Sequence, residues 1–259
     1  MIFTLNVGNR QVEIGLMEQH ETVLHDFVCT DLRKTALEYA LDLLNVLEKH
    51  GATSENVTGG IVSSVVPQLS LILAQAAERV FGISPFIASV RKQHSLKIAL
   101  DDPNTLGTNL LSDAVAVKAF YGCPAIFVDM GTATAVGVID QEGVYQGGVI
   151  MPGLQSAVNA LFGGTAALPA IRLTEASTVL GRETVSCINA GAIFGGAGAI
   201  DGMLDRLAAE LNDEPRIVVT GRLAELLLPH LEHQAVYDPS LTLKGLSLLY
   251  EERLREGKS

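Results

Sequence analysis

Two stretches of this 259-residue chain read alike, and together they limit what it can fold into. The first runs Phe3-Thr4-Leu5-Asn6-Val7-Gly8-Asn9-Arg10-Gln11-Val12-Glu13-Ile14-Gly15-Leu16; the second runs Val128-Asp129-Met130-Gly131-Thr132-Ala133-Thr134 after the apolar Pro124-Ala125-Ile126-Phe127. Each is an apolar strand, a small-residue turn and a returning strand, with Asn6 standing for Asp129, Gly8 for Gly131 and Asn9 for Thr132. Such a unit at the start of each half predicts a duplicated domain with a ligand held between the halves. A buried strand ending in a carboxylate, a glycine and two hydroxyls lets backbone N–H groups approach phosphate oxygens, because side chains there are small. Asp129-Met130-Gly131-Thr132 is therefore the candidate nucleotide turn.

The rest of the chain alternates strands and helices, which predicts an α/β fold. Residues 1–29 read as two or three strands with turns at Gly8-Asn9 and Gln19-His20-Glu21. Thr30-Asp31 is the N-cap candidate for a helix carrying Leu32, Ala36, Leu37, Ala40, Leu41, Leu44 and Leu47 until Gly51. Gly59 to Pro67 predicts a strand running into a helix over 69–81, with a short strand at 85–88. A polar loop over 101–109 precedes a helix over 110–121, capped by Thr108 or Asn109. Beyond the central turn come a hairpin over 137–145, a glycine-rich crossing at 147–153, a helix over 154–162 and a long helical stretch over 184–211. A strand over 216–221, a helix over 223–231 and a last helix opening at 239–246 and ending near Arg255 complete the chain. Glycines 191, 195, 196, 198 and 202 sit inside the long stretch, where Gly costs about 0.5–1 kcal/mol relative to Ala. They predict close backbone packing or a ligand-facing break. The repeat divides the chain into domains 1–115 and 116–259, with the last helix, about 242–255, packing back on the first.

Composition enters by exclusion. With 48% hydrophobic and 18% charged residues the chain buries a real core, and disorder is expected only at 256–259. A formal charge of -11 opposes nucleic-acid binding, which needs a basic surface, so a small ligand is expected. The chain opens directly on a strand, which predicts no signal peptide; no apolar run reads as long and uninterrupted enough to cross a bilayer. A soluble cytoplasmic protein is the expectation. Cys29, Cys123 and Cys187 lack zinc-site spacing and read as reduced packing residues, and the six His, in no motif, read as surface residues.

In order, the motifs are Gly8-Asn9, Ser63-Ser64-Val65-Val66-Pro67, Pro103 with Leu106-Gly107, and Asp129-Met130-Gly131-Thr132-Ala133. Gly147-Gly148 with Ile150 and Pro152-Gly153, Thr165-Ala166 with Leu168-Pro169, Thr184 before Gly191, Thr220-Gly221, Asp238-Pro239, Leu241-Thr242-Leu243 and Gly245-Leu246 follow. This set resembles, from end to end, the type III pantothenate kinases, a branch of the superfamily that includes acetate and sugar kinases, Hsp70 and actin. The resemblance implies two RNase H-like domains with the ligand cleft between them. It implies transfer of the γ-phosphoryl group of ATP to pantothenate in coenzyme A synthesis, with Mg²⁺ and a monovalent cation, K⁺ or NH₄⁺. It also implies a dimer with the pantothenate pocket at its interface. Carried over by motif, Asn6, Gly8, Asn9, Arg10, Gly131, Thr132, Ala133, Thr220 and Gly221 bind nucleotide, and Asp129 is catalytic and holds the metal. Leu100, Gly107, Thr108, Leu110 and Thr184 fall at substrate positions, and Asn109 at that of the general base.

The departures fall on the reactive groups. The family's first turn reads Asp-x-Gly-Asn-Thr, and here Asn6 and Arg10 replace its Asp and Thr. Asn109 cannot accept a proton near neutral pH as a carboxylate can. Leu110 replaces an Arg that holds the substrate, and Leu100 a Tyr. Arg222 replaces the second Gly of a Gly-Gly pair. Three readings follow: a partner subunit, defective alone, that completes its site with an intact homologue; a self-sufficient kinase of pantothenate or another small alcohol; and a non-catalytic nucleotide-binding regulator. Thr184 reads equally as an ordinary helix N-cap, Asn109 as a cap rather than a catalyst, and Asp101-Asp102 as a solvated loop.

Overall fold

A computed structural model describes residues 1–91, 94–165 and 168–256. The motif residue Ala166 and the expected disorder of 257–259 lie outside the described residues. In chain order the elements are β1 (Ile2–Val7), β2 (Gln11–Glu18), β3 (Glu21–Cys29), α1 (Ala36–Lys49), β4 (Gly59–Ser64), α2 (Pro67–Phe81), β5 (Phe86–Ile87), β6 (Lys97–Ile98) and α3 (Thr108–Phe120). They continue with β7 (Ala125–Met130), β8 (Ala133–Ile139), β9 (Val144–Pro152), α4 (Leu154–Gly163), α5 (Thr184–Leu211), β10 (Arg216–Thr220), α6 (Ala224–Leu227), β11 (Val236–Tyr237) and α7 (Leu241–Glu256). Two compact units result: Met1–Phe120 with the segment from Ser240 onward, and Tyr121–Pro239.

The sequence repeat becomes a repeat of topology. The first unit orders its strands β3-β2-β1-β4-β5, and the strands of the second run β11-β10-β7-β8-β9. In each, the opening strand pairs antiparallel with its hairpin partner on one side and parallel with a later strand on the other. Within the first unit, Phe3, Leu5 and Val7 alternate with Thr4 and Asn6, as the two-residue period of a strand requires. Those apolar side chains pack with α1 and α2 in one core. The strand pattern stops where small residues let other elements in. An added Cβ at Gly15 would lie 2.8 Å from Leu243 of α7. Gly245 brings α7 against the backbone of Ser112 in α3, and Thr242 donates to Asp113 at 2.6 Å. In the second unit Ile126, Val128 and Met130 pack with Ile193, Ile200 and Leu204 of α5 and with Leu154 and Val158 of α4.

Several expectations are corrected. Helix α1 is capped by Thr35, not Thr30-Asp31, because Thr35 and Glu38 form a reciprocal capping box. Its buried stripe is Tyr39, Ala40, Leu43, Val46 and Leu47, while Leu32, Leu37, Leu41 and Leu44 are exposed. Helix α3 begins at Thr108, and Leu111 N–H donates to Gly107 C=O, so Thr108 and Asn109 lie in its first turn rather than capping it. Glu183, not Thr184, caps α5, accepting from the N–H groups of Val185 and Ser186. The helix expected over 223–231 is α6 followed by a 3₁₀ turn over Leu228–His230, since Pro229 has no N–H to donate.

The long helix α5 is unbroken, and an 18-residue window of it reaches a mean hydropathy of 1.3, long and apolar enough to cross a bilayer by length and composition. That corrects the expectation of no such run. Ile193, Ala197, Ile200 and Leu204 nevertheless face the core of the unit, and Asp201 is buried with them. Gly196 packs on Leu154, whereas an added Cβ at Gly191, Gly195 or Gly198 would meet nothing within 4 Å. These three form an open face, neither close packing nor a break. The cysteines are free, but Cys29 and Cys187 are exposed rather than packed. Only His50 is a surface residue; His20, His25, His94, His230 and His233 are half-buried, and His20, His25 and His233 lie against carboxylates.

Candidate functional site

In the second unit β7 carries Asp129 to the edge of the core and ends at Met130. Gly131, Thr132 and Ala133 are exposed, and Gly131 N–H closes the turn on Ala133 C=O at 3.0 Å. The turn is fixed from below. Gly153, before α4, leaves no room for a side chain against the carbonyls of Gly131 and Thr132, and Ser156 Oγ donates to Thr132 C=O at 2.7 Å. Because each peptide is trans and planar, the N–H groups of Thr132 and Ala133 point away from Gly153. That orientation is the one an anion-binding turn needs.

Beside it, Thr220 is buried and pairs with Asp129 in the parallel register of β10 and β7. Gly221 follows at φ +96°, its Cα against the Met130 backbone. The structure therefore brings Asp129, Gly131, Thr132, Ala133, Thr220 and Gly221 together. Thr184 is exposed at the first position of α5. The Glu183 carboxyl beside it is held below its usual range, chiefly by the Ser186 N–H.

In the first unit Gly8 N–H donates to Gln11 C=O at 2.9 Å, and Thr30 ties the turn down through its hydroxyl on Gly8 C=O at 2.8 Å. Asn9 and Arg10 are exposed. Asn6 pairs with Ser63 on one side and Glu13 on the other. A polar row crosses the sheet from this point. Ser63 Oγ lies 2.7 Å from Thr108 Oγ1, Asn6 Nδ2 donates to Glu13 Oε2 at 3.1 Å, and Glu13 Oε1 lies 2.9 Å from His25 Nε2.

Gly107 and Thr108 thus adjoin this row, and Asn109 folds its amide back over Gly107, where an added Cβ would meet Oδ1 at 2.7 Å. Leu110 and Leu100 are half-buried. Asp102 caps a 3₁₀ turn over Pro103–Thr105 and is held below the usual range first by the Asn104 side chain, then by its N–H. Glu13 and His25 adjoin this turn although neither was a sequence-derived candidate; the signal was a carboxylate in the returning strand at the position that a hairpin places opposite Asn6.

Two sheets of one topology, each opened by a strand that ends in a small-residue turn, make two RNase H-like domains of the actin, Hsp70 and sugar kinase type of fold. Solved structures share the fold. A protein from Campylobacter jejuni described as a Baf family transcriptional activator matches with a TM-score of 0.58 at 14% identity, over 98% of this chain and 100% of that one. An activator of 2-hydroxyisocaproyl-CoA dehydratase from Clostridium difficile, with bound ADPNP, matches with a TM-score of 0.57 at 9% identity, over 99% and 96%. A Sinorhizobium meliloti protein described as a 2-dehydro-3-deoxygalactonokinase matches with a TM-score of 0.58 at 12% identity, over 97% and 96%. The family model of type III pantothenate kinase matches residues 2–206, and the chain belongs to that family. Its function is accordingly pantothenate kinase-like, within a family of ATP-dependent kinases.

Proposed function

We propose that this chain is a type III pantothenate kinase homologue of coenzyme A synthesis that binds magnesium and ATP but depends on an intact homologue, paired with it as a dimer, to phosphorylate pantothenate. The observation carrying this reading is the contrast between an intact Asp129 turn and a neutral start of α3. Where the family pattern has a general base and an Arg, this chain has Asn109, folded against Gly107, and Leu110. Asp102, in the same loop, is engaged in capping. General acid–base catalysis is typically worth about 10²–10⁴-fold, so the chain alone is slow or silent.

The nucleotide side supports binding. The donor set fits: Asp129 is a hard carboxylate oxygen on a turn whose N–H groups are aimed outward. Asp129 would hold Mg²⁺, which supplies neutralisation of phosphate charge when bound. In the second unit Thr132, Ala133, Thr220 and Gly221 would contact the nucleotide, with K⁺ or NH₄⁺ as the monovalent ion, and the first unit's turn from Asn6 to Arg10 would offer phosphate contacts of its own. The dimer reading draws support from α5, whose face of Gly191, Gly195 and Gly198 is open and has Thr184 at its start and Val185 exposed beside it. Pantothenate would then meet Thr184 at the start of that face, in an assembly working in the cytoplasm.

A coupled ATP assay of the purified chain with pantothenate, Mg²⁺ and K⁺, run alone and mixed with an intact homologue, tests the proposal. Little turnover alone and turnover above that of the homologue on mixing are expected. Robust turnover by the lone chain would sink the partner-subunit reading.

A further inference from the structure

We propose that Glu13 supplies, from the neighbouring strand, the carboxylate that the first turn lacks at Asn6, giving the first unit a divalent-cation ligand; this rests on the magnesium–ATP reading above. The two units allow a like-for-like comparison, because their opening strands hold equivalent places in equivalent sheets. Asp129 pairs with Thr220 on its parallel side and Ala135 on its antiparallel side. Asn6 pairs with Ser63 on its parallel side and Glu13 on its antiparallel side. A hydroxyl residue flanks each on one side. On the other, the carboxylate stands on the opening strand in the second unit and on its hairpin partner in the first.

Directly opposed residues of an antiparallel pair have Cβ atoms about 4.5–5.5 Å apart, within the reach of a glutamate. The contact is made: Asn6 Nδ2 donates to Glu13 Oε2 at 3.1 Å. The Glu13 side chain is only 13% exposed, and its Oε1 lies 2.9 Å from His25 Nε2. This arrangement fixes both groups. The carboxylate selects the amide nitrogen of Asn6, which turns the amide oxygen away from Glu13. His25 holds the far carboxylate oxygen, as outer partners of metal-binding carboxylates do. A carboxylate oxygen, completed by water and phosphate oxygens, matches the sparse oxygen set that Mg²⁺ accepts. An Asp at position 6 would instead confront Glu13 with a like charge. Asn6 is on this reading the complement of Glu13 rather than a simple loss.

The probe is Mn²⁺, a paramagnetic substitute for Mg²⁺, added with ATP to the ¹⁵N-labelled full chain. Line broadening at the amides of Asn6, Gly8, Glu13 and His25 is expected. Glu13→Gln is expected to abolish that local broadening, and the double variant N6D/E13Q, which returns the carboxylate to β1, to restore it. His25→Gln is expected to weaken Mn²⁺ binding about ten-fold by electron paramagnetic resonance. Circular dichroism reports whether each variant folds; if Glu13→Gln does not, Glu13→Asp, one methylene shorter, takes its place with reduced broadening expected. Broadening confined to the surroundings of Asp129, or broadening at Asn6 and Gly8 that Glu13 variants leave unchanged, overturns the assignment of Glu13 alone. Absence of any Mn²⁺–ATP binding by the unmodified chain overturns the functional proposal, and the Glu13 assignment with it.

Discussion

Gly221 sits in the left-handed region at φ +96°, and an added methyl would lie 2.6 Å from Met130 O and 2.7 Å from its N and C atoms. Both the backbone conformation and the space demand glycine, directly beside Asp129. Gly221→Ala is expected to cost about 2–3 kcal/mol in urea unfolding and to abolish ATP binding by calorimetry. Asn109 and Leu110 make the opposite case, where the proposed function has chemistry rather than space missing. Neither side chain is fully buried, so both positions accept polar replacement. Asn109→Asp with Leu110→Arg is expected to raise pantothenate phosphorylation by the lone chain by about 10²–10⁴-fold in the coupled assay. No gain would count against these two positions as the cause of slow turnover in the proposed function. Glu13 was less legible than either. Its meaning depends on which residue stands opposite Asn6, and that register appears only once β1 and β2 are paired.

At the scale of elements, helix ends test the reading of local chemistry. Thr35→Ala removes the cap of α1 and is expected to cost about 1 kcal/mol in thermal or urea unfolding. Thr30→Ala, by contrast, is expected to spare α1 and to loosen the first turn through the lost bond to Gly8. The carboxyls of Glu38 and Glu183 are held below their usual range chiefly by capping hydrogen bonds, and that of Asp102 first by the Asn104 side chain and then by the Asn104 N–H. Stability from a lowered carboxyl is fully present above its unfolded value, near 4, and is lost as pH falls toward the folded value. Far-UV ellipticity is therefore expected to be flat from about pH 8 to 5 and to decline below about pH 4. Strand and helix order was legible because Pro67, the glycine turns and the alternation of Phe3 to Val7 are local signals. The register of α1 was not. Leu37, Leu41 and Leu44 recur at helical spacing as well as Tyr39, Leu43 and Val46 do, and only the sheet beneath decides between the stripes. The capping box that marks its start lies within the same apolar run. Likewise α5 is apolar enough for a bilayer because one face fills a core and another is built of open glycines.

For the whole molecule, that open face predicts separable effects on stability and assembly. Gly195→Ala meets nothing and is expected to stabilise an isolated chain by about 0.5–1 kcal/mol. Gly195→Leu is expected to keep the fold but to abolish dimers in light scattering and the gain on mixing with an intact homologue. Retained dimers would place the interface on another surface. A different consequence follows from the division of the first unit, whose α7 is joined to β1–α3 only after the second unit has intervened. Leu243, Leu246 and Tyr250 are buried in the finished protein, Leu243 against Gly15 and Tyr250 against Gly59. During translation that sheet face stays bare until the last helix leaves the ribosome. At about 5–20 residues per second the wait is on the order of ten seconds. The order of synthesis thus completes the second unit before the first.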